Sequence, residues 1–271
     1  MARKCKKELT KQEKFVRDHR RHHHLISSWR LAIFVCFVAL WELSASAGWI
    51  DSFFFSSPSR VAACLLDQLK TNHLLTHIGV TLFETVVSFF LVILISILTA
   101  TLLWYSGKLA EVTEPYLVIL NSLPKSALAP LFIVWLGTGT TTIIVAGISV
   151  AVFGSCISLF TGFQQVDPEK ITLIYTLGGK KKDAFTKVVL PGSLPILLST
   201  AKVNIGLALV GVIIGEFLAA RRGLGYLIIY GSQVFRLDMV ITSIIILCVI
   251  ALLFYQTIQL LEHRIKKTFR M

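Results

Sequence analysis

The sequence predicts an all-α integral membrane protein with about six transmembrane helices, and three observations lead there. Six stretches are apolar and long enough to cross a ~30 Å hydrocarbon core, which takes about 20 residues of helix. Only 15% of the 271 residues are charged, 55% are hydrophobic, and the mean hydropathy is +0.73. An average soluble domain carries about 25% charged residues, so much of this surface does not face water. The formal net charge of +12 is crowded into the ends and one central loop, which is how membrane proteins place their cations. A nucleic-acid binder would share the net charge, but no nucleic-acid motif accompanies it.

At this length one domain is expected. It covers residues 30–265, between a basic tail over 1–29 and a short tail over 266–271. Spans are predicted at Leu31–Trp49, Ile78–Trp104, Tyr116–Leu136, Thr141–Thr161, Ile196–Ala219 and Met239–Leu261. The first follows a basic start and contains Ala45-Ser46-Ala47, a combination that mimics a cleaved signal peptide. The basic region is long for that role and five spans follow, so a retained first helix is expected. The third span is interrupted by Pro124 and Pro130, which predicts a bend or a late start. Backbone groups freed by those prolines need partners inside protein, so this stretch is expected away from lipid.

Lysine and arginine orient the chain. Ten lie in residues 1–30, one in 105–115, five in 162–195 and four in 262–271, together twenty of the 27. These segments share one side if the amino terminus is cytoplasmic, so the bias predicts a multi-pass chain with both termini inside. Trp29, Trp49 and Trp104 fall near helix ends, where interfacial anchors sit.

Enzyme signatures are missing from the pattern. No GxxxxGK[ST] phosphate loop occurs, and Gly178-Gly179-Lys180 lacks both its spacing and its hydroxyl residue. Neither HExxH nor GxSxG is present. No catalytic residue, resident cofactor or metal is therefore expected in this chain. His19 and His22-His23-His24 stand among Arg and Lys in a polar tail. A solvated, lipid-attracted tail is the expected reading and a metal site the alternative. Cys5, Cys36, Cys64, Cys156 and Cys248 are scattered without CxxC spacing, as small hydrophobes are.

The most informative segment is 164–195, between spans four and five. Asp167 before Pro168 is a helix start, an oxygen for free N–H groups followed by proline at the first helical position. Glu169 suits the positive end of that helix. Gly178-Gly179 breaks the chain, and Asp183 to Leu190 resumes with Ala184, Phe185, Val188 and Val189 at helical spacing. Pro191-Gly192 is expected to end it. A helix, a glycine turn and a second helix joined rigidly to two spans suit a push from a soluble partner. The alternative is an interfacial loop held to anionic lipid by its lysines.

Gly178, nine residues, then Val188-Val189-Leu190-Pro191 resembles the G-x9-I-x-L-P half of the cytoplasmic loop of bacterial ABC importer permeases. The family's Glu-Ala-Ala half falls on Thr172-Leu173-Ile174 and is absent here. Leu123-Pro124-Lys125-Ser126-Ala127-Leu128-Ala129-Pro130-Leu131, leading into Trp135-Leu136-Gly137, resembles the third-span motif of the nitrate/sulfonate/taurine branch. So do Gly215-Glu216-Phe217-Leu218, Arg222-Gly223-Leu224-Gly225-Tyr226-Leu227, and Ser57-Pro58 with Val61. The similarity covers roughly residues 30–265 in matching order.

The resemblance implies a type I importer permease: two six-helix subunits around a central path. It implies two copies of a separate ATPase subunit that binds ATP and Mg, and a solute-binding protein outside. It also implies alternating access driven through loop 164–195. Within that loop it marks Asp167, Glu169, Gly178, Gly179, Asp183, Phe185, Val188, Leu190 and Pro191 as coupling residues. The implied solute is nitrate, a sulfonate or taurine-like anion, or a thiamine-precursor-like compound. An ATPase-independent secondary transporter or channel is the rival class, against which the extended loop speaks. An intramembrane enzyme is the other, and no nucleophile or metal set supports it.

Each ionised side chain at mid-bilayer costs about 2.5–3.5 kcal/mol on the insertion scale, so such residues face protein or water. Glu42, Glu84, Lys125, Lys202 and Glu216 are the candidates. Lys202 is expected to snorkel, Glu42 to be a partnered structural carboxylate, and Glu216 to lie near the outer end of its span. Lys125 either lies beside the translocation path, giving it a positive field, or pairs with a carboxylate such as Glu114 or reaches the interface. Gly211-xxx-Gly215 has close-packing spacing, which serves a central path-lining helix and ordinary packing within one subunit equally well. The candidate path residues are thus Pro124, Lys125, Pro130, Gly211, Gly215 and Glu216.

Overall fold

The computed structural model describes residues 11–70 and 73–268, and helix is the regular secondary structure among them. The first ten residues of the basic tail, with Cys5, and the side chains of His19, His23 and His24 lie outside the described residues. The chain divides into two compact units, residues 1–63 and 64–271.

In the first unit, α1 (Lys11–Ser46) contains an apolar span over Ser28–Ser46. Its helix reaches back well into the segment expected to be a tail, and ends at Ser46 rather than Trp49. Gly48, with φ 73°, turns the chain there. The short α2 (Ser52–Phe55) is capped by Asp51, whose Oδ1 accepts from the Phe53 N–H at 2.8 Å. Pro58 opens α3 (Pro58–Lys70) at a position where a missing N–H costs nothing. Glu42 completes that start, accepting from the Ser59 N–H at 3.0 Å and from Ser59 Oγ at 2.9 Å. The charge in the first span is therefore a partnered helix cap.

In the second unit follow α4 (His73–Tyr105), α5 (Gly107–Ser122), α6 (Lys125–Leu136), α7 (Thr140–Gln164), α8 (Pro168–Thr176) and α9 (Lys181–Ala184). A π-helical turn, Phe185–Val189, leads into α10 (Leu190–Gly192), α11 (Leu194–Ala219), α12 (Leu224–Gln233) and α13 (Leu237–Thr268). At the centre lies α7, packed lengthwise against α4 and α11. With no hydrophobic drive between helices in lipid, small residues and close van der Waals contact hold such a bundle. Along α4 the buried stripe is Thr81, Thr85, Ser88, Val92 and Ser96, at three- and four-residue spacing. On α11 a β-carbon at Gly211 would sit 2.8 Å from the Ala146 carbonyl oxygen, and one at Gly215 2.9 Å from the Ile143 Cα. Any larger residue would push α11 off α7.

The third span has the bend expected from its prolines, but begins at Gly107 rather than Tyr116. It is a broken span, α5 and α6 meeting at 95°. Pro124 sits at the break, where it cannot donate and biases Leu123 to an extended backbone, observed at ψ 139°. Pro115 and Pro130 lie inside their helices. Counting the broken pair as one, the described residues hold six apolar crossings. Lys202 on α11 pairs with Glu262 on α13, which also meets Lys266 at 2.8 Å.

Candidate coupling segment and translocation path

The segment after α7 is built by local chemistry. Asp167 Oδ1 accepts from the Glu169 N–H at 2.9 Å, capping α8 with Pro168 at its first position. At its far end Gly178 takes φ 82°, and the Gly179 N–H donates to the Ile174 carbonyl at 2.9 Å. That closes the helix with a left-handed glycine. Asp183 accepts from the Lys180 N–H at 2.9 Å, starting α9. This bond, together with Lys187 3.6 Å away, holds the Asp183 carboxyl below the usual aspartate range.

The second helix ends at Pro191-Gly192 as expected, with Ser193 between it and α11. The chain stays helical to Gly192, because the π turn lets the Leu190 N–H reach the Phe185 carbonyl five residues back. A proline collides with the carbonyl four residues before it in a regular helix, and a widened turn relieves that crowding. The same turn points Phe185 and Val189 inward. Phe185 is buried among Trp104, Tyr105 and Phe163, with ring centroids 5.1, 5.5 and 5.5 Å away. The Trp104, Phe163 and Phe185 rings join Ala100, Leu103, Ala110, Leu159 and Phe160 in one cluster. Lys181 adds a second tie, donating to the Tyr105 carbonyl at 2.8 Å while lying over the Trp104 ring. The lysines of this stretch are thus not all spread towards lipid.

The other half of the segment is bare. On α8 and its end Leu173 is 56% and Leu177 75% exposed, with Tyr175 between them. Thr172 is also exposed, while Ile174 folds under the glycine turn. One end is locked into the adjoining termini of α4, α5 and α7, and the other presents exposed apolar side chains.

The candidate path residues separate. Gly211 and Gly215 are buried against α7 within this chain. Glu216 is buried too. It accepts from Thr81 Oγ1 at 2.6 Å and from the Gly225 N–H at 2.6 Å, while Thr81 Oγ1 accepts from the Leu224 N–H. The carboxylate thereby pins the start of α12 to α4 and α11. Pro124 and Pro130 frame the bend. Lys125 Nζ donates to the Leu120 and Asn121 carbonyls at 2.6 and 2.5 Å, rather than pairing with Glu114. A cation on the last carbonyls of α5 complements that helix terminus.

Sequence reasoning missed a cavity of about 280 Å³ between α7 and α11, bordered by Ser155, Ser158, Ser199, Thr200 and Asn204. Asn204 Nδ2 donates to Ser155 Oγ at 2.7 Å. Its signal was hydroxyl and amide residues three to five apart within two apolar runs. Gly154 on its border abuts Asn121 at the α5–α6 bend, and Phe153 beside it underlies Lys125. A second cavity lies at the opposite end from the coupling segment, lined by Glu84, Thr138, Thr140, Arg221 and Arg222.

Residues 92–267 match the family model described as the binding-protein-dependent transport system inner membrane component. Over 230 residues the chain is 25% identical to an aliphatic sulfonates transport permease protein (SsuC) of Bacillus subtilis, covering 85% of this chain and 83% of that one. It is 26% identical to the formylaminopyrimidine transport permease protein ThiX of Halalkalibacterium halodurans, covering 85% and 91%. Among solved structures, a chain of the inward-facing MetNI methionine ABC transporter superposes with a TM-score of 0.62. It has 21% identity and covers 74% of this chain and 98% of that one.

Proposed function

This chain belongs to the family of binding-protein-dependent transport system inner membrane components, and from that premise we propose how it serves as the permease subunit of an ATP-driven importer. Two copies of the chain pair around a path for a small solute. Two copies of a separate ATPase, which bind the ATP and Mg, dock on the 164–195 segments. The chain itself catalyses nothing. Both termini lie in the cytoplasm, and a solute-binding protein delivers cargo to the other face.

The observation that carries this reading is the asymmetry of the coupling segment. Leu173, Tyr175 and Leu177 are exposed, whereas Phe185 and Val189 are locked among the inner ends of the membrane helices. A groove that closes on the first half moves the second, and through it α4, α5, α7 and α11. The absent Glu-Ala-Ala half is replaced by contact through these apolar side chains. Closure of the ATPase pair then shifts the spans between inward- and outward-open states. ATP and loaded binding protein supply the differential affinity that such a shift requires.

The solute moves along the hydroxyl-lined cavity between α7 and α11, with Lys125 and the α5–α6 bend at its side. The nitrate/sulfonate/taurine branch favours a small anion or a thiamine-precursor-like compound, with selection resting largely on the binding protein.

The test is recovery of the tagged chain from native membranes in mild detergent, with partners identified by mass spectrometry. A stoichiometric ATP-binding subunit is expected, and Leu173→Glu with Leu177→Glu should remove it without changing the permease's melting temperature. Recovery of no ATPase, with vanadate-insensitive uptake, would favour a secondary transporter instead.

A further inference from the structure

The link between α11 and α13 is held in place at both of its ends. The first N–H groups of α12 are taken by side chains of neighbouring helices. Gly223 donates to His77 Nδ1 at 2.9 Å, Leu224 to Thr81 Oγ1 at 2.8 Å and Gly225 to Glu216 Oε2 at 2.6 Å. Leu224 and Leu227 are buried with Leu74, Met239 and Ile250. Farther along, a β-carbon at Gly231 would lie 3.0 Å from Val240 Cγ2. Helix α12 and the start of α13 thus form a fixed hairpin, with Val234-Phe235-Arg236 at its tip.

That tip carries a side chain that packing does not explain. Phe235 has φ 56°, and its ring is 67% exposed. The Arg236 N–H donates to the Gly231 carbonyl at 2.8 Å, a helix closure whose left-handed residue is usually glycine. A bulky residue in that region is a backbone outlier, and outliers that a fold maintains cluster at functional sites. Charge is the second feature. Arg221 and Arg222 precede α12 and Arg236 follows it, all exposed, at the end of the bundle away from the coupling segment. On the topology proposed above that end faces outside, where basic residues beside spans are disfavoured. None of the three guanidinium groups is ion-paired among the described residues.

We propose that this hairpin is the docking surface for the solute-binding protein, with Phe235 entering an apolar pocket and Arg221, Arg222 and Arg236 meeting an acidic rim. The proposal rests on the importer reading and gives its outer partner a place and a chemistry. An exposed aromatic among arginines has the composition of an interface anchor. Ten residues of α12 separate the two basic ends by about 15 Å, which fits within a standard patch of about 800 Å² per partner. A lipid surface would take the arginines but gives no reason to strain an aromatic, since Tyr230 already offers an exposed ring from regular helix. Docking also reaches the bundle, because the start of α12 is bonded to α4 and α11 through Thr81 and Glu216.

The experiment first places a photoreactive benzophenone side chain at position 235 of the full chain in intact cells. Irradiation should join it to one soluble protein, identified by mass spectrometry as a solute-binding protein. That protein is then purified and added to the permease and its ATPase in lipid nanodiscs. Phe235→Gly should weaken its binding by about tenfold or more and remove its stimulation of ATP hydrolysis. The same variant should melt no lower than the wild type, because glycine relieves the left-handed backbone. Arg221→Glu with Arg222→Glu should also weaken binding, and more at low salt than at high salt.

A benzophenone that captures only lipid or a second copy of the chain overturns the docking surface and leaves the importer reading standing. So does a Phe235→Gly complex that binds the purified protein as tightly as the wild type. The importer reading fails on a different readout, the absence of any ATPase from the purified wild-type complex.

Discussion

Gly178 and Gly179 are adjacent, yet different constraints hold each of them. Gly178 has φ 82° and open space around it, so a β-carbon there costs only the left-handed backbone penalty, about 1–2 kcal/mol. Gly179 has an ordinary φ but no room: its β-carbon would lie 2.5 Å from Ile174 Cγ2 and 2.8 Å from the Ile174 carbonyl. The methyl can rotate away and the carbonyl cannot, because it belongs to the closing turn of α8. Gly179→Ala should therefore abolish most solute-stimulated ATP hydrolysis in reconstituted complex, while Gly178→Ala should reduce it only in part. Equal activity in both variants would contradict this account. The intramembrane charges show the same dependence on surroundings. Glu42 and Lys125 each cap a helix end, Lys202 pairs with Glu262, and Glu84 faces a cavity.

In the proposed coupling, the stretch from Lys181 to Gly192 acts as one lever, since the π turn keeps it helical through Pro191. Phe185 is its fulcrum, packed against rings from α4 and α7. Truncating a buried phenylalanine removes about 3–5 kcal/mol of packing, and here that loss falls on the joint rather than on the docking face. Phe185→Ala should thus still co-purify with the ATPase, yet solute should no longer stimulate hydrolysis. Loss of the ATPase itself would place Phe185 in the docking surface and contradict the lever. The broken span α5–α6 is the second special element. Its 95° bend puts Lys125 beside the α7 stretch that borders the hydroxyl-lined cavity.

At the scale of the molecule, the second unit has two chemically distinct ends. One collects the aromatic cluster, the lysines of 180–187 and the bare face of α8. The other collects Glu84, the Gly137–Gly139 turn and Arg221-Arg222. The charge bias predicts that the first end is cytoplasmic. A membrane-impermeant maleimide applied to intact cells should therefore label Arg221→Cys and not Thr172→Cys, in a background without native cysteines. Opening the membrane should expose Thr172→Cys. The reverse pattern would invert the topology and remove the coupling segment from the ATPase's reach.

The number of crossings, their order, the capped start of α8 and the glycine turn were all legible in the amino-acid sequence. Each depends on neighbours in the chain: apolar runs of bilayer length, an aspartate before a proline, a pair of glycines. Spacing also marked Gly211 and Gly215 as a close-packing face, but two partners suited them equally. Only the packed bundle assigned them to α7. Tertiary structure alone decided that a π turn would precede Pro191, where Phe185 finds rings from α4 and α7. It alone brought serines of α7 opposite Asn204 of α11, and Glu84 together with arginines nearly 140 positions away. Local sequence sets which backbone conformation is cheap. Which side chains then share a buried space depends on contacts between distant segments, and those exist only once the helices have packed.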